Sequence, residues 1–164
     1  RSDYDLSSHA KMSKEKFEVM DNDKKVLPHV FEISMGIDRS LYTILEHSLK
    51  KDEEHERMVL SLKPYLSPVH VGILSLVKKD GLKEKTDEIF LNIKRKFDAF
   101  LDHSGAIGRR YRRLDEIGAP FAITVDHQTL EDNTVTIRKR DSMEQSRVNI
   151  SEIDSILSGS VAFP

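Results

Sequence analysis

The stretch Val69–Val77 (VHVGILSLV) constrains the fold more than any other part of this sequence. Apolar side chains occupy nearly every position, and such a run predicts a strand covered on both faces, as in a parallel sheet. Leu82–Leu101 follows with Ile89, Ile93 and Phe97 at helical spacing, which predicts an amphipathic helix. A covered strand followed by an amphipathic helix indicates an α/β fold.

The remainder of the chain after residue 68 extends this pattern. Residues 121–125 (FAITV) predict a second buried strand, and 134–140 and 144–150 alternate polar and apolar residues as two further strands do. Helices are predicted over 107–117 and after Ser151. The result is a mixed α/β sheet with helices packed on it.

The first part of the chain has a different organisation. Val26–Ser34 carries β-branched and aromatic bulk and predicts a strand, and a helical period begins at Ile37. The charged run Lys50–Arg57 precedes two prolines and predicts a linker. We therefore expect two domains, at 1–60 and 61–164.

Composition limits the possible functions. The 164 residues suffice for one domain or for one domain and a piece of another. A net charge of −2 gives no general attraction to nucleic acid or membrane, so such binding requires a local patch.

The absence of cysteine excludes disulfides and thiolate metal sites, and the seven histidines show no metal-ligand spacing, so we predict no metal site. No apolar run is long enough to span a membrane, and a chain that begins at Arg1 has the character of an excised fragment.

Two arginine clusters are candidates for RNA contact. Residues 107–118 (IGRRYRRLDEIG) carry four arginines around Tyr111, which supplies positive charge and a stacking surface. A solvated helix face explains the same pattern equally well. Arg138 and Arg140 point the same way on a predicted strand, so two guanidinium groups line one face.

A third candidate site lies at FEISMGIDRS, residues 31–40. Glu32 and Ser34 share one face of the predicted strand, where a carboxylate and a hydroxyl can hold an ammonium group. Arg39 lies one turn into the following helix and can contact phosphate or stack on a base. Polar residues on a half-exposed edge strand, and a surface arginine, are the alternatives. The sequence contains no phosphate-binding loop, so a complete catalytic centre is not predicted.

Four stretches resemble one known family. PHVFEISMGIDRSLYTILEHS (28–48) resembles the third signature motif of class II aminoacyl-tRNA synthetases, and its E-x-S-x-G-x-x-R form is similar to the glycyl-tRNA synthetase family. RSDYDLSSH (1–9) resembles a strand of that family's catalytic domain. Residues 104–126 and 134–153 resemble its anticodon-binding domain. Ile33 stands where the family usually has proline, and the first two family motifs are absent.

The resemblance implies a mixed five-stranded sheet with flanking helices, together with a partial antiparallel-sheet segment of a catalytic domain. It implies that Glu32 binds the ammonium group of glycine, that Ser34 limits the pocket to this amino acid, and that Arg39 binds ATP. No residue is assigned as catalytic. The full-length relative is a glycine–tRNA ligase that uses ATP with Mg²⁺ in the cytoplasm, commonly as a homodimer. We expect the fragment alone to be inactive and to hold no cofactor tightly.

The same resemblance implies that the second domain binds the anticodon of tRNA(Gly). The matching surface is expected to comprise Arg138 and Arg140, residues 126–129, and Arg109 and Arg110 on the predicted helix. The alternative is a non-catalytic module with the anticodon-binding fold that binds a protein or nucleic-acid partner.

Overall fold

The computed structural model describes residues 3–77, 79 and 81–162. The described elements, in chain order, are α1 (Tyr4–Ser13), β1 (Val19–Asp21), β2 (Lys24–Val26), α2 (Ile37–Ser48), β3 (Leu49–Asp52), β4 (Arg57–Leu60), β5 (Val71–Ser75), α3 (Leu82–Lys94), β6 (Ala99–Asp102), α4 (Ile107–Ile117), β7 (Phe121–Val125), α5 (His127–Asp132), β8 (Thr134–Lys139), β9 (Gln145–Asn149) and α6 (Ile153–Val161). Short 3-10 turns occupy Pro64–Leu66 and Ile150–Glu152. The chain divides into two compact units, Arg1–Ser40 and Leu41–Pro164.

The first unit contains α1 and a two-stranded hairpin. β1 and β2 pair antiparallel with Val19 opposite Val26, and the turn residues Asn22 and Asp23 have φ values of 45° and 62°. Two consecutive left-handed residues suit a tight hairpin turn, and Asn and Asp tolerate them better than most residues.

Two strand predictions in this unit are wrong. Residues 27–36 have no regular secondary structure, although Val26–Ser34 predicts a strand, and residues 4–9 belong to the helix α1. A strand is stable only when neighbouring strands satisfy its backbone N–H and C=O groups. Within the described residues, the only strand pair of this unit is β1–β2.

The second unit is built on a five-stranded sheet in the order β6-β5-β7-β8-β9. β6, β5 and β7 run parallel, whereas β8 and β9 are antiparallel to their neighbours. The prediction of a mixed five-stranded sheet with flanking helices is confirmed. Residues 95–101, in contrast, do not continue the predicted helix 82–101, because α3 ends at Lys94 and the edge strand β6 begins at Ala99.

The two faces of the sheet are covered differently. On one face, odd-numbered residues of β5, β7 and β8 pack with α3 and α6 into the main core, whose fully buried members include Ile73, Ile123 and Leu157. On the other face, Leu114 of α4 packs with Leu74 and Ala122 in a smaller cluster. α4 thus covers only the middle of its face, and this limited coverage defines the candidate site.

The charged run Lys50–Arg57 lies in a hairpin rather than in an extended linker. β3 and β4 pair antiparallel, with Leu49 opposite Leu60 and Asp52 opposite Arg57. Arg57 is buried against α4, so the hairpin belongs to the packing of the second unit. The pattern misleads because a charge run usually indicates solvation, whereas here one charge is buried with a partner. The predicted domain division at 60 and 61 stays a prediction.

Candidate nucleic-acid interface

Arg110 is buried beneath α4 at the carboxyl ends of β5 and β6. Its Nη1 donates to the carbonyl oxygen of Ser75 at 2.6 Å and to that of Asp102 at 3.3 Å. Burial lowers the pKa of Arg110 and outweighs the opposite effect of the Asp102 charge. These hydrogen bonds connect α4 to the strand ends. Because the relative exposure of Arg110 is 4%, the side chain presents almost no surface to a ligand.

Arg138 and Arg57 share the buried carboxylate of Asp115. Arg138 donates from both terminal nitrogens to Asp115, at 2.9 and 3.1 Å, and its guanidinium lies 5.0 Å from the centroid of the Tyr111 ring. Arg57 donates from Nη1 to Asp115 at 2.9 Å and from Nε to Asp52 at 2.7 Å. The network joins the β3–β4 hairpin, α4 and β8 through charge-assisted hydrogen bonds.

Arg140 fastens the same hairpin to the end of α4. Its guanidinium donates to the carbonyl oxygens of Leu60, Leu62 and Gly118 at 3.1, 2.8 and 2.8 Å. It also donates to both carboxylate oxygens of Asp141 at 2.8 Å, which helps to lower the pKa of that acid. The side chain is almost completely buried.

The predicted set of RNA-contacting arginines therefore needs correction. Arg110, Arg138 and Arg140 are buried, and their guanidinium groups hydrogen-bond to the protein. Arg138 and Arg140 lie on the predicted common face, but α4 and the hairpin cover that face. Of the four, only Arg109 is exposed.

Beyond α4, the sheet presents an open polar surface on its last two strands. Thr136 pairs with Arg147, Thr134 pairs with Asn149, and Arg138 pairs with Gln145, so these side chains share one face. We call the exposed or half-exposed members of this set the β8–β9 face; they are Thr134, Thr136, Gln145, Arg147 and Asn149. The Tyr111 hydroxyl hydrogen-bonds to Thr124 at 2.6 Å and marks the boundary with α4.

Arg147 is held rigidly at the centre of this face. Its Nε donates to Thr134 Oγ1 at 2.6 Å, and Nη2 donates to Asp126 Oδ1 at 2.9 Å. Hydrogen bonds from Arg147, opposed by partial burial, lower the pKa of Asp126. The edges of the guanidinium are occupied by the protein, but 27% of the side chain is exposed. A guanidinium whose N–H groups are paired within the protein can still stack through its plane.

Sequence analysis did not identify Arg147, although it did point to the adjacent residues 126–129. Asp126 and Thr129 form a capping box at the start of α5, so their side chains are structural, whereas His127 and Gln128 are exposed. The alternation of Gln145, Arg147 and Asn149 along β9 was the available signal. Only the pairing of β9 with β8 shows that these side chains lie beside Thr134 and Thr136.

The predicted glycine and ATP residues are all exposed. Glu32 and Ser34 lie in the irregular stretch 27–36, and Arg39 lies in the first turn of α2. Because no strand forms there, the common strand face predicted for Glu32 and Ser34 is absent. These residues do not by themselves enclose a site that fits glycine, ATP or Mg²⁺.

Within the described residues, no group of three or more His, Asp or Glu residues is placed to hold a metal ion. Across the same parts of the chain, no helix has both the length and the apolar character needed to cross a membrane.

Comparison with known families decides the classification of this sheet. Residues 70–159, which include the β8–β9 face, match the family described as "Anticodon binding domain". The chain belongs to the anticodon binding domain family. The boundaries of the match enclose the complete five-stranded sheet of this domain, and the β3–β4 hairpin lies before it.

Relatives of known name extend the match beyond the anticodon binding domain. A glycine–tRNA ligase of Archaeoglobus fulgidus is 48% identical over 156 residues, which cover 90% of this chain and 27% of that protein. One from Thermobifida fusca is 39% identical over 171 residues, covering 99% and 37%. The resemblance to glycyl-tRNA synthetases is thereby confirmed, and the chain spans 27% to 37% of the length of these relatives.

A solved structure supports the fold independently. The RNA binding domain of threonyl-tRNA synthetase from Cryptosporidium parvum superposes with a TM-score of 0.58 at 22% identity, covering 63% of this chain and 26% of that one. At this level of identity the likeness concerns the fold of the anticodon binding domain alone.

Proposed function

We propose that the second unit binds the anticodon loop of a transfer RNA for glycine and that the β8–β9 face contacts the bases. The observation that carries this proposal is the guanidinium of Arg147, which hydrogen bonds fix on an open polar sheet face while 27% of the side chain stays exposed. Unpaired loop bases can stack on a guanidinium plane and be read along their edges by neighbouring side chains. The family match over residues 70–159 supports the same partner.

The roles on this face follow from which polar groups remain available. Arg147 donates its N–H groups to Asp126 and to threonine oxygens, so it offers its plane rather than its edge. Gln145 is exposed on the same face, and its amide both donates and accepts hydrogen bonds. We assign stacking to Arg147 and edge recognition to Gln145.

The test is a fluorescence-anisotropy titration of the chain with a tRNA(Gly) transcript and with a transcript changed only in the anticodon. Edge recognition predicts that the native anticodon binds more tightly, by about 1–3 kcal/mol for each base that is read. Equal affinity for both transcripts would refute anticodon recognition. It would favour the alternative of a module that binds a protein partner or binds RNA without sequence preference.

We further propose that the whole protein is a glycine–tRNA ligase, homodimeric and cytoplasmic, which activates glycine with ATP and Mg²⁺ and transfers it to the tRNA. The named relatives support this activity. In this proposal Glu32 accepts the glycine ammonium, Ser34 limits the side chain, and Arg39 contacts ATP, once the remainder of a catalytic domain encloses them. Glu32→Gln in the full-length enzyme should raise the KM for glycine, and an unchanged KM would overturn the assignment.

A further inference from the structure

The outer surface of α4 carries arginines that neither the core nor the β8–β9 face uses. Arg109 and Arg112 are exposed, and 43% of the Arg113 side chain is exposed. Together with three other residues they line a surface pocket of about 460 Å³, which we call the arginine pocket. The other lining residues are Ser104, Gly105 and Glu116.

One wall of the arginine pocket is fixed by a buried acid. Arg113 Nη1 donates to Ser104 Oγ at 2.9 Å and lies 3.0 Å from Asp102 Oδ2. Burial alone would raise the pKa of Asp102, but hydrogen bonds from Ser104 and the charges of Arg113 and Arg110 lower it overall. Asp102 therefore stays ionised and orients Arg113.

The pocket retains an excess of positive charge. Three arginines face two acids, Glu116 in the lining and Asp102 behind it, which leaves one positive charge. Within the described residues, neither Arg109 nor Arg112 forms an ion pair, so both guanidinium groups are available to an anion. The positive end of the α4 dipole, which begins at Ile107, adds to this potential.

The lining chemistry indicates phosphate rather than a base. Among the described residues, no aromatic ring lines the pocket, so these residues offer no platform of the kind on which bases stack. Guanidinium groups match phosphate oxygens in a bidentate geometry, and a hydroxyl such as that of Ser104 can donate a further hydrogen bond. These are the groups that contact an RNA backbone without reading its sequence.

We propose that the arginine pocket binds backbone phosphates of the same RNA whose bases lie on the β8–β9 face, as an anchor that is independent of sequence. This inference rests on the proposed function for the identity of the RNA. The pocket adjoins the segment after β6, whereas the β8–β9 face lies at the other edge of the sheet. Three to four strand spacings, about 15–20 Å, separate β6 from β8 and β9, so the two sites contact different nucleotides.

The test compares two charge-matched double variants. Arg109→Gln with Arg112→Gln removes two positive charges from the arginine pocket. Lys83→Gln with Arg95→Gln removes two exposed charges from α3 and its end, on the opposite face of the sheet. Each protein is titrated with the tRNA(Gly) transcript and with the anticodon-changed transcript over a series of salt concentrations, after circular dichroism has verified folding.

The pocket variant should bind both transcripts roughly tenfold more weakly at about 0.1 M salt, and its log–log salt slope should fall by about 1 to 2. Its preference for the native anticodon should equal that of the wild type, and the α3 variant should retain the wild-type slope. Wild-type slope and affinity in the pocket variant, or no binding of either transcript by the wild type, would overturn the inference. A second outcome is that the pocket variant loses salt slope while the wild type shows no anticodon preference. That result would support the phosphate anchor and refute the proposed function.

Discussion

Asp115 joins three separate parts of the second unit, because its carboxylate accepts hydrogen bonds from both Arg57 and Arg138. The three side chains are at most 7% exposed. Removing one partner of a buried ion pair leaves the other charges without compensation, which costs far more than the loss of a surface pair.

We predict that Asp115→Asn lowers the free energy of unfolding by about 3–5 kcal/mol, because the buried guanidinium of Arg138 loses its counter-charge and Arg57 keeps only that of Asp52. Urea denaturation followed by circular dichroism measures the change. Glu116→Gln, at the neighbouring exposed position of α4, is the matched control and should stay within about 0.5 kcal/mol of the wild type. Equal stability of the two variants would contradict the structural role of Asp115.

Arg147 is the residue whose loss should affect RNA most directly. Arg147→Gln should weaken binding of the tRNA(Gly) transcript by about 1–3 kcal/mol, because a base loses its stacking surface. Thermal unfolding should change little, since the pair with Asp126 is half-exposed. Arg95→Gln, on the opposite side of the sheet, is the control, and anisotropy titrations provide the comparison. Identical affinities for the two variants would remove Arg147 from the interface.

Asp52 gives the hairpin a defined pH dependence. Hydrogen bonds from Arg57 and then His55 lower its pKa from 3.8 to about 2. A pKa that is depressed in the folded state contributes stability above pH 3.8, and this contribution is lost as the pH falls towards 2. Across that window, urea midpoints of the wild type should fall more steeply than those of Asp52→Asn. Parallel profiles would show that the pairing of Asp52 does not stabilise the fold.

At the residue scale, the sequence predicted which arginines cluster but not which of them are buried. Arg57 and Arg138 reach Asp115 from positions 58 and 23 residues away, so only the folded chain brings the charges together. The four arginines on either side of Tyr111 look equivalent in sequence, yet Arg110 is buried and Arg109 is exposed. A helical position decides burial only when the face that packs on the sheet is known.

At the scale of elements, the close approach of α4 to the sheet depends on Gly72 of β5. A β-carbon at this position would lie 2.2 Å from Leu114 Cδ1 and 2.8 Å from Leu114 Cγ, and Leu114 is itself buried. The absence of a side chain therefore lets Leu114 pack directly against the strand. Residue 72 is part of the run that predicted the strand, but the sequence did not indicate this packing.

We predict that Gly72→Ala lowers the free energy of unfolding by about 1–3 kcal/mol, because overpacking displaces Leu114. Gly108→Ala is the matched control within α4, since nothing lies within 4 Å of a β-carbon built there. Because Gly108 is the second residue of α4, that change should raise stability by at most roughly 0.5–1 kcal/mol, the value for a helix interior. Urea denaturation distinguishes the two signs, and a neutral Gly72→Ala would show that α4 packs less closely than described.

Elements buried on both faces were the most predictable. Long apolar runs identified β5 and β7, and alternation identified β8 and β9. The edge strand β6 was missed because its apolar residues Ala99, Phe100 and Leu101 continue directly from a helical stripe. For residues 27–36 the error was the opposite one, because a strand was predicted and none formed. Strand-like composition does not produce a strand without a neighbouring strand to pair with.

At the scale of the whole molecule, the two faces of the sheet in the second unit differ in how completely helices cover them. α3 and α6 bury the main core on one face, while α4 and the hairpin cover only part of the other. The uncovered part carries the β8–β9 face, and the outer surface of α4 carries the arginine pocket. RNA is therefore expected on the α4 side of the sheet and not on the α3 side.

Amide hydrogen exchange of the chain with an anticodon stem-loop of tRNA(Gly) tests this arrangement most directly. The account predicts slower exchange in residues 126–136 and 145–149 on addition of the native stem-loop, and unchanged exchange in α3. A stem-loop with a changed anticodon should give less protection in the same two segments. Protection confined to α3, or equal protection of β8 and β9 by both stem-loops, would contradict anticodon reading by the β8–β9 face.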